Sequence, residues 1–317
     1  MKAVFVEQPG GLESLKYGDI AKPAPGPGQA LIKVHAAGVN FIDIYFRKGL
    51  YPAPPPIILG SEGAGTVESV APDVKNVAPG DRVAYAMPRG SYAEYHAVPA
   101  WQLVKIPGSV DFETAAAGIL QGMTAHYLTH STYPLKPGDR CLIHAAAGGT
   151  GSLVVQMAKM LGAHVIATVG TEEKAKQAKA SGADEVIIYT KEDFVAKAKG
   201  VHVVYDSVGH ATFLQSLDCL RPRGMMVTFG NASGPVADIA PLILSQKGSL
   251  FLTRPTLANY TATQDELDWR AGDVLSWIGN GKLKLHIHKV YPLADAAEAQ
   301  RDLEGRKTTG KLLLRVA

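Results

Sequence analysis

The chain has 317 residues, of which 46% are hydrophobic and 19% charged, and its formal net charge at pH 7 is +3. That length accommodates two domains with their own cores, and the composition is ordinary for a globular protein. The small charge excess argues against nucleic acid or a membrane surface as the principal partner. The sequence shows no signal peptide and no membrane span, and its two cysteines lie in apolar surroundings. We therefore expect a cytoplasmic protein.

The first 110 residues have a β-rich pattern, in which short apolar runs are separated by clusters of proline and glycine. We predict strands at residues 3–6, 30–36, 63–70, 82–86 and 93–98. From residue 112 the pattern becomes helical, and we predict helices at residues 113–118 and 122–131.

Residues 140–170 form the most informative stretch. An apolar run of strand length is followed by glycines, by apolar residues at helical spacing and by a second β-rich run. Within it Ala146-x-Gly148-x-x-Gly151 fits the dinucleotide fingerprint, except that alanine replaces its first glycine. Gly148 would let the backbone approach a pyrophosphate, and Gly151 would let the helix pack closely against the strand. The helix N-terminus would face the anion.

Strands and helices then alternate, which predicts a doubly wound parallel sheet. We predict further strands at residues 185–189, 201–206, 225–229 and 249–252, and helices at 172–181 and 213–220. After residue 255 the pattern is helix 264–278, strand 285–291, helix 293–304 and strand 311–316. We expect these last elements to return to the first domain, so that residues 1–122 are completed by 260–317 and residues 123–259 form the second domain.

Ordered motifs along the whole chain identify a family. They are Gly38-Val-Asn-Phe-Ile-Asp-Ile-Tyr45, Gly49-Leu-Tyr-Pro52, Gly60-Ser-Glu-Gly-Ala-Gly65, Gly80-Asp-Arg-Val83, His144-Ala-Ala-Ala-Gly-Gly-Thr-Gly151, Tyr205-Asp-Ser-Val-Gly209, Phe229-Gly-Asn231 and Lys247-Gly-Ser-Leu-Phe-Leu-Thr-Arg-Pro255. The chain resembles the zinc-independent medium-chain dehydrogenase/reductases, and within them the ζ-crystallin-like NADPH:quinone oxidoreductases. The resemblance implies a GroES-like β-rich catalytic domain followed by a Rossmann domain, with the active site in the cleft between them.

The resemblance also bears on metal. Zinc-dependent relatives place a Cys and a His where this chain has Asn40 and Ser61, and they carry a four-cysteine lobe that two cysteines cannot form. His286-x-His288 has no third ligand nearby in the sequence. We therefore expect no metal site.

By similarity to the family, Asn40, Tyr45 and Tyr51 should line the substrate pocket, with Gln121 and Thr124 at the domain junction. Asn40 could donate a hydrogen bond to a quinone carbonyl, and the two tyrosines offer flat apolar faces with hydroxyl donors.

These assignments have alternatives. Tyr51 could instead pack on Pro52, and Asn40 could cap a helix over residues 41–46. Asp43 could be structural, since a buried carboxylate needs a partner. Gln121 departs from the lysine that some close relatives have at this position.

The resemblance also implies an NADPH site, to which the fingerprint residues contribute. Its residues are Tyr127, Gly148, Gly149, Thr150, Gly151, Gly170, Lys174, Tyr189, Ser207, Phe229, Asn231, Thr256 and Arg306. The second strand ends at Ala167-Thr-Val-Gly170 without the acid that binds the ribose of NAD. We interpret Glu172 and Glu173 as residues that compensate the helix dipole. We expect Lys174, Tyr189 and Arg306 to bind a 2′-phosphate.

The sequence thus predicts an NADPH-dependent quinone reductase. The alternative is an NADPH-dependent reductase of α,β-unsaturated aldehydes or ketones, which needs the same hydride geometry. A third hypothesis is an NADPH-binding protein without catalytic activity, structural or RNA-binding, although no basic stripe with interleaved aromatics supports RNA binding. Relatives pair the strand that corresponds to residues 247–255 across a dimer axis, so a homodimer is expected.

Overall fold

The computed structural model describes residues 1–316, and the chain divides into two compact units. Unit 1 comprises residues 1–123 together with the chain from residue 261 onward, and unit 2 comprises residues 124–260. Among the described residues, no helix combines the length and the apolar character needed to cross a membrane.

The N-terminal part of unit 1 is mainly β-structure. Its elements are β1 (Lys2–Val6), β2 (Leu15–Asp19), β3 (Gln29–Val39), α1 (Phe41–Arg47), β4 (Ile57–Ile58), β5 (Glu62–Val70), β6 (Arg82–Ala86), β7 (Tyr95–Pro99), β8 (Val104–Lys105) and α2 (Phe112–Tyr127). Helix α2 runs into the start of unit 2, where a π-helical turn, Leu128–Thr132, extends it. Short 3₁₀ turns lie at Leu12–Ser14 and Ala100–Gln102.

Unit 2 alternates strands and helices. Its elements are β9 (Arg140–Ile143), α3 (Gly149–Met160), β10 (His164–Val169), α4 (Glu172–Ala180), β11 (Glu185–Ile188), α5 (Phe194–Lys197), β12 (Val201–Asp206), α6 (Phe213–Leu217), β13 (Leu220–Thr228), α7 (Leu242–Gln246), β14 (Phe251–Thr253) and α8 (Leu257–Tyr260). The strands form one parallel sheet in the order β11-β10-β9-β12-β13-β14, which confirms the predicted doubly wound sheet. Its order reverses between β9 and β12, and open α/β sheets bind ligands at the carboxyl ends of strands at such a point.

The C-terminal part of unit 1 contains α9 (Gln264–Gly279), β15 (Ile287–Pro292), a 3₁₀ turn (Leu293–Asp295), α10 (Ala296–Glu304) and β16 (Lys311–Arg315). Strand β16 pairs antiparallel with β3, with Leu312 opposite Val39. The larger sheet of unit 1 therefore runs β15-β16-β3-β5-β6-β8, with β7 also paired to β3, while β2-β1-β4 forms a small second sheet. This pairing places residues from both ends of the chain side by side.

The prediction of two helices at 113–118 and 122–131 is wrong, because α2 is continuous through Gly118 and Gly122. A Cβ atom on Gly118 would lie 2.6 Å from Ile278 Cδ1, and one on Gly122 would lie 2.5 Å from Val274 Cγ1. The two glycines therefore allow α9 to pack closely on α2. They do not end a helix.

Smaller differences have similar causes. The predicted strand over 249–252, and the longer segment 247–255, reduce to β14, because Gly248 and Ser249 adopt φ angles of 110° and 55° and form a turn. The predicted helix over 213–220 ends at Leu217, and Leu220 already belongs to β13. Strands β2, β4 and β8 were not predicted, and the last two have only two residues each.

Candidate active site

A buried polar network surrounds Asn40, which lies between β3 and α1 and is 5% exposed. Its Nδ2 donates to Glu62 Oε2 at 2.9 Å and to the carbonyl oxygen of Gly38 at 3.3 Å. Its Oδ1 accepts from Lys311 Nζ at 2.7 Å and from Gln121 Nε2 at 3.3 Å. Both hydrogens and both lone pairs of the amide are therefore used within unit 1.

These four hydrogen bonds restrict the donor role that was predicted for the Asn40 side chain. To donate to a quinone carbonyl, the side chain would have to give up its long bond to Gly38 or its bond to Glu62. Asn40 is the N-cap residue of α1, as the alternative hypothesis expected, but its backbone N–H donates to Asp43 Oδ2 at 3.0 Å while its side chain belongs to the network.

Glu62 and Lys311 form an ion pair of 2.5 Å, and their side chains are 0% and 2% exposed. The second Glu62 oxygen accepts from the backbone N–H of Leu120 at 2.6 Å. Gly38 leaves the necessary space, since a Cβ atom there would overlap the Glu62 carboxylate and lie 2.8 Å from Lys311 Nζ. Neither charged residue was predicted as a site residue. The available signals were a lysine heading the apolar strand β16 and a glutamate within a run of small residues.

Asp43 lies beside this network and is fully buried. Its carboxylate accepts from Ser61 Oγ at 2.8 Å, from Tyr92 Oη at 3.1 Å and from the Asn40 N–H. Burial raises the pKa of Asp43 to about 6, against the opposing effect of its three donors. The structural role proposed for Asp43 therefore has the partners that a buried carboxylate needs.

The two tyrosines belong to a group of aromatic rings. Tyr51 meets Tyr45 edge-on with ring centroids 5.3 Å apart, and it meets Phe46 in the same way at 5.8 Å. Tyr45 is buried, whereas Tyr51 is half-buried. The rings that Tyr51 contacts are those of α1, so its position is fixed by packing whichever role it has.

Gln121 and Thr124 lie one turn apart on α2. Gln121 is half-buried and belongs to unit 1, whereas Thr124 is buried and begins unit 2. Gln121 thus belongs to the hydrogen-bonded network that Asn40 forms with Glu62 and Lys311.

The glycine turn of unit 2 lies between β9 and α3. Gly148 is the N-cap residue of α3, and Ala145 adopts a φ of 50°. A Cβ atom on Gly151 would overlap the carbonyl oxygen of Ala145, whereas one on Gly148 would lie 3.2 Å from the same atom. Gly151 is therefore required by the close packing of α3 on this turn, whereas at Gly148 the fold leaves more room for a Cβ atom.

His144 directly precedes this turn, and both of its ring nitrogens are hydrogen-bonded. Its Nδ1 lies 2.7 Å from Thr168 Oγ1, and its Nε2 lies 2.9 Å from Ser216 Oγ. Because Ser216 Oγ donates to the Thr212 carbonyl oxygen, Nε2 carries the proton and Nδ1 accepts from Thr168. Burial lowers the pKa of His144, which keeps the ring neutral and structural.

The residues predicted to bind the 2′-phosphate occupy both units. In unit 2 the Tyr189 hydroxyl lies over Gly170, within 2.8 Å of where a Cβ atom would stand. Lys174 lies in the first turn of α4, where its N–H donates to the capping Thr171. Glu172 pairs with Lys191 at 2.7 Å on the surface, and Arg306 is an exposed residue of unit 1.

The remaining cofactor residues follow strand ends or lie farther along unit 2. Ser207 follows β12, and Phe229 and Asn231 follow β13. The last residue of β13, Thr228, is buried, and its Oγ1 has no hydrogen-bond partner within residues 1–316. Tyr127 is buried and stacks on Tyr260 with ring centroids 4.4 Å apart. Thr256, Gly149 and Thr150 retain exposed or half-exposed surface.

Comparison with known proteins identifies this arrangement. The family model "Alcohol dehydrogenase GroES-like domain" matches residues 26–108, and "Zinc-binding dehydrogenase" matches residues 149–269. A quinone oxidoreductase of Pseudomonas aeruginosa is 47% identical over 96% of both chains. The chain belongs to the medium-chain dehydrogenase/reductase family, in its quinone oxidoreductase group.

Other members of this family agree with the assignment. The crystal structure of Escherichia coli quinone oxidoreductase complexed with NADPH superposes with a TM-score of 0.97 over the full length of both chains, at 43% identity. A 2-haloacrylate reductase of a Burkholderia species is 42% identical over 98% of both chains. In the described part of this family member, no three His, Cys, Asp or Glu side chains are grouped to hold a metal ion.

Proposed function

We propose that the protein is an NADPH-dependent quinone reductase that works without metal, in which unit 2 binds NADPH and unit 1 carries the side chains that meet the acceptor. The main observation behind this proposal is the superposition on a quinone oxidoreductase complexed with NADPH, at 43% identity over the full chain. Two hydrogen bonds support the metal-free mechanism, because they occupy the side chains at the positions of the zinc ligands. Asn40 Oδ1 accepts a hydrogen bond from the Lys311 ammonium group, and Ser61 Oγ donates one to Asp43.

The residues of unit 2 fit NADPH. The turn at Gly148 leaves backbone accessible at the N-terminus of α3, where a pyrophosphate is stabilised by the helix dipole. At the carboxyl end of β13, Thr228 offers a buried hydroxyl that no other described residue bonds. The Tyr189 hydroxyl lies over Gly170, and Lys174 follows Gly170 in the first turn of α4; we assign both residues to the 2′-phosphate.

In this proposal NADPH, when bound, supplies the hydride. The chain supplies orientation and polar contacts: the aromatic group around Tyr51 offers flat faces for a planar acceptor, and the amide network offers hydrogen-bond donors to its carbonyl. The second candidate is reduction of a carbon–carbon double bond next to a carbonyl, which the 42% identical 2-haloacrylate reductase favours.

The test is oxidation of NADPH by the purified protein with a panel of quinones, enones and 2-haloacrylates, with product analysis. We expect the highest kcat/KM on a quinone and full activity after exhaustive chelation. Higher kcat/KM on an activated double bond would favour the second candidate. Activity that disappears on chelation and returns with zinc would contradict the metal-free mechanism.

We also propose a homodimer formed through β14, which is the outer strand of the parallel sheet. Its Phe251 is 57% exposed and Leu252 is 37% exposed, and an uncovered edge with apolar side chains is a pairing surface. Phe251→Asp should convert a dimer to a monomer in sedimentation velocity, whereas Leu214→Asp, an exposed residue on α6, should leave it dimeric. A monomeric wild type would refute this part of the proposal. The cytoplasm, where the buried Cys141 and Cys219 stay reduced, is the proposed location.

A further inference from the structure

We infer that Glu62 and Lys311 are positioning residues that hold the side-chain amide of Gln121, through Asn40, as the hydrogen-bond donor for the acceptor carbonyl. The inference deepens the proposed function and rests on it, since it assumes that a carbonyl oxygen gains negative charge during reduction. It starts from the way the charge pair determines the orientation of one amide.

The orientation of the Asn40 amide is fixed by charge. Lys311 Nζ contacts Oδ1 at 2.7 Å and Glu62 Oε2 contacts Nδ2 at 2.9 Å. Exchanging the two ends of the amide would turn its N–H groups toward the ammonium and its oxygen toward the carboxylate. Both contacts would then be repulsive in a site that excludes water, so one orientation is strongly preferred.

That orientation directs Asn40 Oδ1 toward Gln121, whose Nε2 donates to it at 3.3 Å. Asn40 has no hydrogen left for a ligand, because both are bonded to Glu62 and Gly38. Gln121 Nε2 carries two hydrogens and uses one of them for Asn40. Gln121 is also half-buried, while Asn40, Glu62 and Lys311 are almost completely enclosed.

Gln121 is therefore the residue through which this network meets a ligand. A donor whose direction is already set stabilises a developing oxyanion without reorganisation at the moment of reaction. The charged pair contributes by keeping the amide in place, at a distance from the reacting atoms.

The decisive variant is the double substitution Glu62→Gln with Lys311→Met. It keeps both side-chain lengths and removes both charges of the pair together, so neither Glu62 nor Lys311 is left as a buried charge without its partner and the protein should fold. We expect kcat with a quinone to fall by about 10- to 100-fold, as for displaced catalytic groups. The Kd for NADPH should stay within about twofold of wild type, because the residues assigned to NADPH are, apart from Arg306, in unit 2.

A double-mutant cycle separates positioning from a general structural effect. Gln121→Met should lower kcat by a similar factor, and adding the Glu62→Gln and Lys311→Met changes to it should cause no further loss. Losses that multiply would overturn the inference. Tyr291→Phe is the matched control, since it removes a partly buried hydrogen bond from a buried tyrosine to Asp302 in the same unit without touching the network, and its kcat should be unchanged.

A second measurement does not depend on activity. Hydrogen exchange of the Asn40 side-chain amide, identified by NMR through its loss in Asn40→Ser, should be slow in the wild type. In the Glu62→Gln, Lys311→Met variant it should be at least about tenfold faster, while the backbone amides of β3 keep their protection. Equal exchange rates would refute the fixed orientation. If the wild type reduces neither quinones nor activated double bonds, the proposed function fails, and the exchange result still decides the positioning step.

Discussion

The candidate sites of unit 1 and unit 2 differ in how their polar groups find hydrogen-bond partners. Around Asn40 in unit 1, the side-chain amide, the Glu62 carboxylate and the Lys311 ammonium satisfy one another inside the protein. At the strand ends of unit 2, Thr228 Oγ1 is buried and has no hydrogen-bond partner among residues 1–316, and Tyr189 is 51% exposed.

The two groups of residues therefore differ in what a ligand would have to supply. The network of unit 1 is complete before any ligand arrives, because several strands and α2 contribute to it. The site proposed in unit 2 includes a group, the Thr228 hydroxyl, that a ligand would complete. Substitutions in the first site should therefore act on stability and on kcat, and those in the second mainly on cofactor affinity.

The largest expected effect tests the closed network. Gly38→Ala should lower the free energy of unfolding by about 3–5 kcal/mol, the usual cost of disrupting a buried ion pair, because its Cβ atom would overlap the Glu62 carboxylate. Urea denaturation measures this loss. Gly272→Ala is the control: apart from the backbone of α9 itself, no described residue lies within 4 Å of its Cβ position, so its free energy of unfolding should rise by about 0.5–1 kcal/mol. A Gly38→Ala protein as stable as wild type would contradict the tight enclosure of the pair.

The next effect concerns Asp43 and pH. The folded-state pKa of about 6 exceeds the ordinary 3.8, so the folded protein holds this proton more tightly than the unfolded chain. The resulting contribution is full below pH 3.8 and is lost as the pH rises through about 6, which amounts to about 3 kcal/mol. Asp43→Asn can keep the contacts if Ser61 turns to accept, so its unfolding free energy should lack this dependence.

Urea denaturation of both proteins from pH 4 to pH 7 measures the difference between them. Wild type should lose stability relative to Asp43→Asn as the pH rises. Asp19→Asn should keep the wild-type slope, because Asp43 is still present and because pairing with Lys2 lowers the pKa of Asp19 and moves its titration below this range. Parallel curves for wild type and Asp43→Asn would show that Asp43 is not strained by burial.

In unit 2, Lys174→Ala should weaken binding of NADPH by about 1.5–3 kcal/mol, the usual value of a hydrogen bond to a charged group. Affinity for NADH, which has no 2′-phosphate, should change little. Stability should also stay near wild type, in contrast to the substitutions in unit 1. Lys176→Ala, an exposed lysine on the same helix, is the matched control for both cofactors. Equal loss for NADPH and NADH would place Lys174 elsewhere than at the 2′-phosphate.

The smallest effect is expected for Glu172→Gln. The pair of Glu172 with Lys191 is exposed, so its loss should change stability by less than about 1 kcal/mol. The ratio of kcat/KM for NADPH to that for NADH should stay within about twofold of wild type. A marked loss of NADH use would instead assign Glu172 to the ribose hydroxyls.

Local patterns in the sequence were sufficient for much of unit 2. The strand β12 was predicted with its observed bounds, and the glycine turn between β9 and α3 was recognised from spacing. Such features depend on residues close together in the chain, where strand alternation, helical periodicity and turn glycines act directly. The lengths of the elements beside Gly248 and Ser249 were not predicted, because a left-handed Ser249 has no clear sequence signal.

By itself, then, the sequence determined the alternation of strands and helices in unit 2, the position of its glycine turn and the family to which the chain belongs. Tertiary structure decided the rest. Glu62 and Lys311 are 249 residues apart and meet because β5 and β16 both pair with β3. The same is true of Gly118 and Gly122, which resemble helix breakers until α9 is packed against them. A buried ion pair or a close helix contact depends on what lies opposite a residue in space, and the local pattern carries no information about that neighbour.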